Sequence, residues 1–317
     1  MRMSAQQAWK NFHLGEELGI AGTQIYNGLR RFHEMRNLDH TDEIFDFLYN
    51  LSIGLERLLK IAIILLEHND DTDQKALEKS LITHNHLELL HRVKQHRDLK
   101  LFSLHNEFLA LLGTFYKTHR HNRFLLSSVY DPDCEKKALH AFLTKHLGID
   151  LQPPLDMMPI ANERQYREFV RKIVIRISSS LYEIIKSKAA DLNLYTYEVR
   201  IGSKSQTVFY GRGEIASEEV LWKELLIFFM NTKETSGLLE FLRSIEPLAF
   251  DPALANDYLQ CFQSDEAKAD VIGELEFYYE EMEGKTGDRL EMMDVIGDPR
   301  VISIRQKNLT IEVLAVT

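Results

Sequence analysis

Histidine and arginine are concentrated in one stretch of this 317-residue chain, and their side chains are suited to chemistry on phosphate. Residues 84–123 hold seven histidines and seven Lys or Arg against three Asp or Glu. Histidine exchanges protons near neutral pH, and arginine donates paired hydrogen bonds to phosphate oxygens. The candidate catalytic residues are Arg120, His121, Arg123 and His84. Brought together, they could supply the base, the acid and the phosphate ligand of metal-independent RNA cleavage.

The same residue types also have a purely structural interpretation. Histidine and arginine near a helix end often only bind its last carbonyls and complement its dipole. His84 and His86 could ligate zinc, but neither a Cys pair, a His-Glu-x-x-His motif nor a carboxylate triad accompanies them. We therefore expect no metal and no cofactor. Arg92 and His96 share one helix face, which favours a solvated surface pair.

The elements that would position these residues are mostly helices. From residue 42 to residue 68, apolar side chains recur every three or four positions, which predicts one long helix. Further helices are predicted at 74–81, 87–96, 101–118, 135–146 and 163–190. Asp131-Pro132 is a favourable helix start before the fourth of these.

After residue 191 the pattern changes. Two β-rich pairs, 195–200 with 207–210 and 301–305 with 310–314, predict two β-hairpins. Helices are predicted between them, and residues 265–294 carry eleven Asp or Glu against three Lys or Arg. The predicted fold is mainly α, with a helical bundle over residues 1–190. A small α+β domain with acidic helices follows over residues 191–317.

Composition limits the class of protein. A net charge of −10 argues against general coating of nucleic acid, although the basic stretch and the acidic helices could bind different partners. Only two cysteines are present, Cys134 and Cys261, and they are far apart in sequence, which excludes a disulfide framework. The first residues are polar, and the longest apolar run, residues 61–66, is too short to cross a bilayer. We expect a cytoplasmic protein that does not bind membranes.

Three segments resemble one known family. Residues 51–60, Leu-Ser-Ile-Gly-Leu-Glu-Arg-Leu-Leu-Lys, are similar to the second helix of HEPN-like helical domains. The Thr83-His84-Asn85 element and the Arg120-x-x-Arg123-Phe124 group resemble motifs that follow that helix in the family. The resemblance covers about residues 41–130.

This resemblance implies a helical bundle that often dimerises in bacterial toxin–antitoxin, anti-phage or stress systems. Many members are metal-independent RNases whose signature is an arginine followed, after four to six residues, by a histidine. Here Arg36 with His40 and Arg92 with His96 are separated by only three residues. This shorter spacing is what an inactive family member that works as a binding module would show.

Two functions therefore follow from the sequence. The first is a non-enzymatic interaction and dimerisation module in bacterial defence or toxin–antitoxin function, forming a homodimer and binding a protein partner through its acidic C-terminal domain. The alternative is a metal-independent endoribonuclease or RNA-binding effector that uses the Arg and His cluster.

Overall fold

The computed structural model describes residues 3–122, 124–130, 133–151, 159–194, 196–210, 215–262, 265–282, 286–298, 301–307 and 310–315. For residues 215–219, 265–266 and the last two ranges, only the backbone is described. The chain divides into two compact units, Met1–Glu218 and Glu219–Thr317.

The first unit is helical. Its helices are α1 (Ala5–Ala8), α2 (Leu14–Glu34), α3 (Thr41–Glu67), α4 (Gln74–Ser80), α5 (His86–His96), α6 (Ser103–Thr114), α7 (Arg120–Asn122), α8 (Cys134–Leu147), α9 (Arg164–Asp191) and α10 (Lys204–Phe209). Short 3-10 turns lie at Leu126–Tyr130 and Tyr197–Val199. The long helix predicted over residues 42–68 is confirmed as α3, and the helix predicted over 163–190 as α9.

Helix α3 is the centre of the first unit. Five consecutive side chains near its end, residues 61–65, are all buried, so the helix is covered on every side there. Helices α2, α5, α6, α8 and α9 pack around it. Helix α2 approaches most closely, because a Cβ on Gly54 would lie 2.6 Å from Cγ1 of Ile25 and 3.0 Å from its backbone nitrogen. Glycine at this position allows the two backbones to come together.

Two wide π-helical turns interrupt the regular helices. One, Trp9–His13, joins α1 to α2, and the other, Phe115–His119, joins α6 to α7. Such turns are rare and frequently lie at functional sites. The first turn contains Trp9 and the second contains Tyr116.

The first predicted hairpin is wrong. Residues 197–199 form a 3-10 turn and residues 204–209 form α10. The Ser203 side chain accepts a hydrogen bond from the Gln206 backbone N–H and so caps this helix. Val208 and Phe209 are buried in the core of the first unit, and this burial outweighs their preference for strands.

The boundary between the units also differs from the predicted one. The sequence predicts a boundary at residues 190 and 191, whereas the structure divides between Glu218 and Glu219. The intervening helix α10 packs against α2, and Ser205 Oγ donates a hydrogen bond to the Leu18 carbonyl. This segment therefore completes the helical bundle.

The second unit contains α11 (Ile215–Asn231, which begins before the boundary), α12 (Gly237–Ser244), α13 (Ala255–Gln260), α14 (Asp265–Glu281) and α15 (Thr286–Val295). Strands β1 (Val301–Lys307) and β2 (Thr310–Ala315) follow as an antiparallel pair, with Ile304 opposite Val313. The mainly-α prediction is confirmed, but an α+β domain with two hairpins is not supported.

None of the described helices combines the length and the apolar content that crossing a membrane requires.

Candidate functional site

A groove of 550 Å³ runs beside α3 in the first unit. Most of its wall comes from one face of α3, and the π turn at Trp9, the start of α2, the loop after α4 and the π turn at Tyr116 complete it. The lining residues are Trp9, Leu14, Glu17, Tyr49, Ile53, Glu56, Arg57, Lys60, Ile61, Ile64, Leu81, His84 and Tyr116.

A hydrogen-bonded acid and imidazole lie in the middle of the groove. The Nδ1 atom of His84 lies 3.0 Å from Oε2 of Glu56, and Lys60 donates to the other oxygen, Oε1, at 2.6 Å. The Glu56 side chain is 10% exposed and the His84 side chain is 46% exposed. Glu56 therefore fixes the orientation of an imidazole whose second nitrogen, Nε2, is not bound to it.

Arg120 lies over the aromatic ring of Tyr116, which lines the groove. Its guanidinium carbon lies 3.6 Å from the centre of the Tyr116 ring, and the His84 ring lies 4.8 Å from that centre on a tilted approach. Tyr49 stacks on Tyr116 at 6.1 Å. Among the described residues, Arg120 has no carboxylate partner, so this stacked cation remains available to an anion.

The arginine and the lysine that line the groove both have carboxylate partners. Arg57 donates a hydrogen bond from Nη1 to Oε2 of Glu17, and Lys60 pairs with Glu56. His84 and Arg120 are therefore the groups on which a bound anion would depend.

The structure brings two of the four predicted catalytic residues, His84 and Arg120, to the ring of Tyr116. His121 follows Arg120 in the short helix α7 and is exposed, and its side chain makes no hydrogen bond or ion pair within the described part of the chain. Arg123 lies outside the described residues, as does the predicted Asp131-Pro132 helix start.

His86 plays a different part from His84. It is fully buried, and its Nε2 donates a hydrogen bond to the Ser52 carbonyl at 2.9 Å. Burial lowers the pKa of His86 below its ordinary value, and the hydrogen bond to Ser52 opposes this only in part. The His84-x-His86 pair is thus divided between the groove and the core. Within the described ranges, no three His, Cys, Asp or Glu side chains are grouped as metal ligands.

Arg92 and His96 form a separate ion cluster. Arg92 donates from Nε and Nη2 to both oxygens of Glu67, at 2.7 and 2.5 Å, and Nε2 of His96 lies 3.3 Å from the same carboxylate. Burial raises the pKa of Glu67, but the hydrogen bonds and charges of Arg92 and His96 outweigh it and leave the pKa lowered. This cluster ties α5 to the end of α3.

Two site residues, Glu56 and Tyr116, were not among the candidates from sequence. Glu56 had a detectable signal, because it is the one acidic residue between Asp46 and Glu67 in a mostly apolar helix. Tyr116 lies four positions before Arg120, but its contact with His84 arises only through the fold.

Comparison of the chain with family models, with curated proteins and with solved structures finds no match.

Proposed function

We propose that this protein is an RNA-directed effector that cleaves single RNA strands without a metal ion. The observation that carries the proposal is the Glu56–His84 hydrogen bond on a groove whose lining residue Tyr116 has the guanidinium of Arg120 stacked on its ring. The resemblance of residues 41–130 to HEPN-like domains supports it, since many of these domains are metal-independent RNases of bacterial toxin–antitoxin and anti-phage systems.

The chemistry assigns a role to each of three residues. The Nε2 atom of His84 takes the proton of an RNA 2′-hydroxyl while Glu56 holds Nδ1–H. The 2′-oxygen then bonds to phosphorus, the bond to the 5′-oxygen breaks, and a 2′,3′-cyclic phosphate results. The leaving 5′-oxygen takes its proton from water, and the His84 imidazolium later releases its proton to solvent. Arg120 donates hydrogen bonds to the phosphate oxygens as their charge increases.

The experiment incubates the full chain with labelled single-stranded RNA in EDTA. We expect products that end in a 2′,3′-cyclic phosphate. His84→Ala should lower the cleavage rate by roughly 10²–10⁴-fold, the usual contribution of a general base. Arg120→Ala should lower it by roughly 10²–10³-fold, as loss of one charge-stabilising donor does.

Two surface variants serve as matched controls. His13→Ala removes an exposed histidine that faces Glu16, and Arg164→Ala removes an exposed arginine that faces Glu168. Both should cleave at the wild-type rate. RNA with a 2′-deoxy substitution at the cleaved nucleotide should remain intact. Wild-type protein that leaves every single-stranded RNA intact between pH 5.5 and 8 would refute the proposal.

A second candidate function, a non-enzymatic interaction and dimerisation module, rests on a different observation. Helix α11 exposes a nearly continuous apolar surface that includes Leu225, Phe228 and Phe229. Monomeric proteins rarely expose such patches. If this second function is right, the full chain should form a homodimer or bind a stoichiometric protein partner, as measured by light scattering and affinity capture. Phe228→Glu should abolish the association and Arg120→Ala should leave it intact. A monomer that captures nothing would exclude this function.

A further inference from the structure

The groove offers two different environments along α3. The His84–Glu56 pair lies on one part of α3, and Ile61 and Ile64 lie further along the helix axis, about 8 and 12 Å from Glu56 at 1.5 Å per residue. Trp9 marks this far end, because its ring packs edge-on against His68, the residue that follows α3, with 5.3 Å between the ring centres. An apolar compartment therefore adjoins the proposed catalytic dyad.

The walls of this compartment are formed by apolar side chains, which suit neither a sugar nor a phosphate. Ile61 and Ile64 are almost fully buried aliphatic side chains, and Leu81 and Trp9 are partly buried beside the core. A flat aromatic group would gain contact area there and could pack against the indole. Nucleobases fit this description, and they stack on aromatic side chains with little dependence on base identity.

The size of the groove selects among nucleic acids. Its 550 Å³ lies within the roughly 300–1,000 Å³ of small-molecule sites, so it holds a nucleotide but not a helix. A base inside a duplex is stacked and paired on both sides and cannot enter. An unpaired base in a loop or single strand can turn outward into a protein pocket.

We infer that the compartment of Trp9, Ile61, Ile64 and Leu81 binds one unpaired nucleobase, with its phosphate towards His84 and Arg120. The inference rests on the proposed function and narrows its substrate to single-stranded or looped RNA. Both π turns contribute to this arrangement, since one supplies Trp9 and the other supplies Tyr116.

Trp9 provides a direct readout of base binding. The chain has only two tryptophans, so Trp222→Phe leaves Trp9 as the sole indole reporter. AMP and UMP should each quench Trp9 fluorescence in a saturable way. Ribose 5-phosphate, which has the sugar and phosphate but no base, should bind at least tenfold more weakly. Equal binding of ribose 5-phosphate, or no response to either nucleotide, would overturn the inference.

A pair of neighbouring substitutions separates the compartment from the surface beside it. Leu81 lines the groove, whereas Ile82 is 81% exposed and does not line it. Leu81→Trp should fill the compartment and weaken AMP binding at least tenfold by calorimetry, and Ile82→Trp should bind AMP as the wild type does. Equal melting temperatures for the two variants would establish that both are folded. Unchanged AMP binding in Leu81→Trp would refute the inference.

The outcomes also distinguish this inference from the proposed function. If RNA cleavage depends on His84 but AMP does not bind, the base compartment is wrong and the nuclease stands. If AMP binds in the predicted order and RNA is never cleaved, the nuclease is wrong and the compartment stands. Cleavage of paired RNA at the rate of unpaired RNA would also contradict the compartment.

Discussion

The two units differ in how they treat apolar side chains. In the first, α3 is buried along almost its whole length by the helices around it. In the second, across residues 220–262, 267–282 and 286–298, Phe241 is the one apolar side chain that is buried, while Leu225, Phe228 and Phe277 are exposed. Apolar burial is the main favourable term in folding. The first unit therefore contains its own stabilising core, whereas the side chains described in the second unit do not form one.

Charge follows the same division. Residues 219–317 contain 20 Asp and Glu against nine Lys and Arg, whereas residues 1–218 are almost balanced, with 28 against 29. The negative net charge of the chain thus belongs to the second unit. Under the two proposals, the first unit carries out the ligand chemistry, and the acidic second unit with its exposed apolar residues associates with a partner.

The largest expected effect tests this contrast directly. Leu58→Ala removes a fully buried side chain of α3 and should lower the free energy of unfolding by roughly 2–5 kcal/mol. Leu225→Ala makes the same change at a 43% exposed position of α11 and should cost less than about 0.5 kcal/mol. Chemical denaturation of the full chain measures both. Equal losses of unfolding free energy in the two variants would contradict the difference in burial between the two units.

A smaller effect tests how closely the first unit is packed. Gly54→Ala places a methyl group against Ile25 and the Ala21 carbonyl, so the helices must separate, at a cost of roughly 1–3 kcal/mol. Gly19→Ala, in α2, meets nothing within 4 Å and should stabilise the chain by about 0.5–1 kcal/mol through its helix preference. The opposite signs would appear as opposite shifts in melting temperature. A stabilising Gly54→Ala would mean that α2 and α3 are not in close contact.

The smallest effect concerns pH. The pKa of His86 is lowered in the fold by burial, so the unfolded chain takes up a proton at higher pH than the folded one does. The stability that His86 contributes is present above pH 6.5 and is lost as the pH falls below it. His86→Gln keeps a donor for the Ser52 carbonyl and should weaken this acid sensitivity. His13→Gln, at an exposed site, should leave it unchanged. Denaturation curves from pH 7.5 to 5 measure the free energy of unfolding. If the wild type, His86→Gln and His13→Gln all lose the same amount of it, the expectation is wrong.

The helices that could be predicted from the sequence are those that a local pattern of residues determines. Helix α3 followed from the spacing of its apolar residues, and α9 likewise. Helix α10 was predicted as a strand because Thr207, Val208 and Phe209 favour strands, while the Ser203 cap and burial against the first unit decide for a helix. Short segments with mixed signals depend on tertiary contacts that no local pattern contains.

The site was partly predictable for the same reason. The chemistry of histidine and arginine identifies His84 and Arg120 as candidate site residues, but 36 positions separate them in sequence. Their common neighbour Tyr116 becomes visible only in three dimensions. The partnership of His84 with Glu56 likewise joins residues 28 positions apart.

The π turn at Phe115–His119 has a consequence for how this chain tolerates length changes. A turn of this kind accommodates one more residue than an ordinary helix would, so removing a single residue such as Thr118 could be absorbed by reverting to regular helix. Because the extra residue is what makes the turn wide, its loss would leave the residues on either side close to their present positions. Arg120 would then stay against the ring of Tyr116, and this turn would tolerate a one-residue deletion that would rotate the rest of an ordinary helix by roughly 100°.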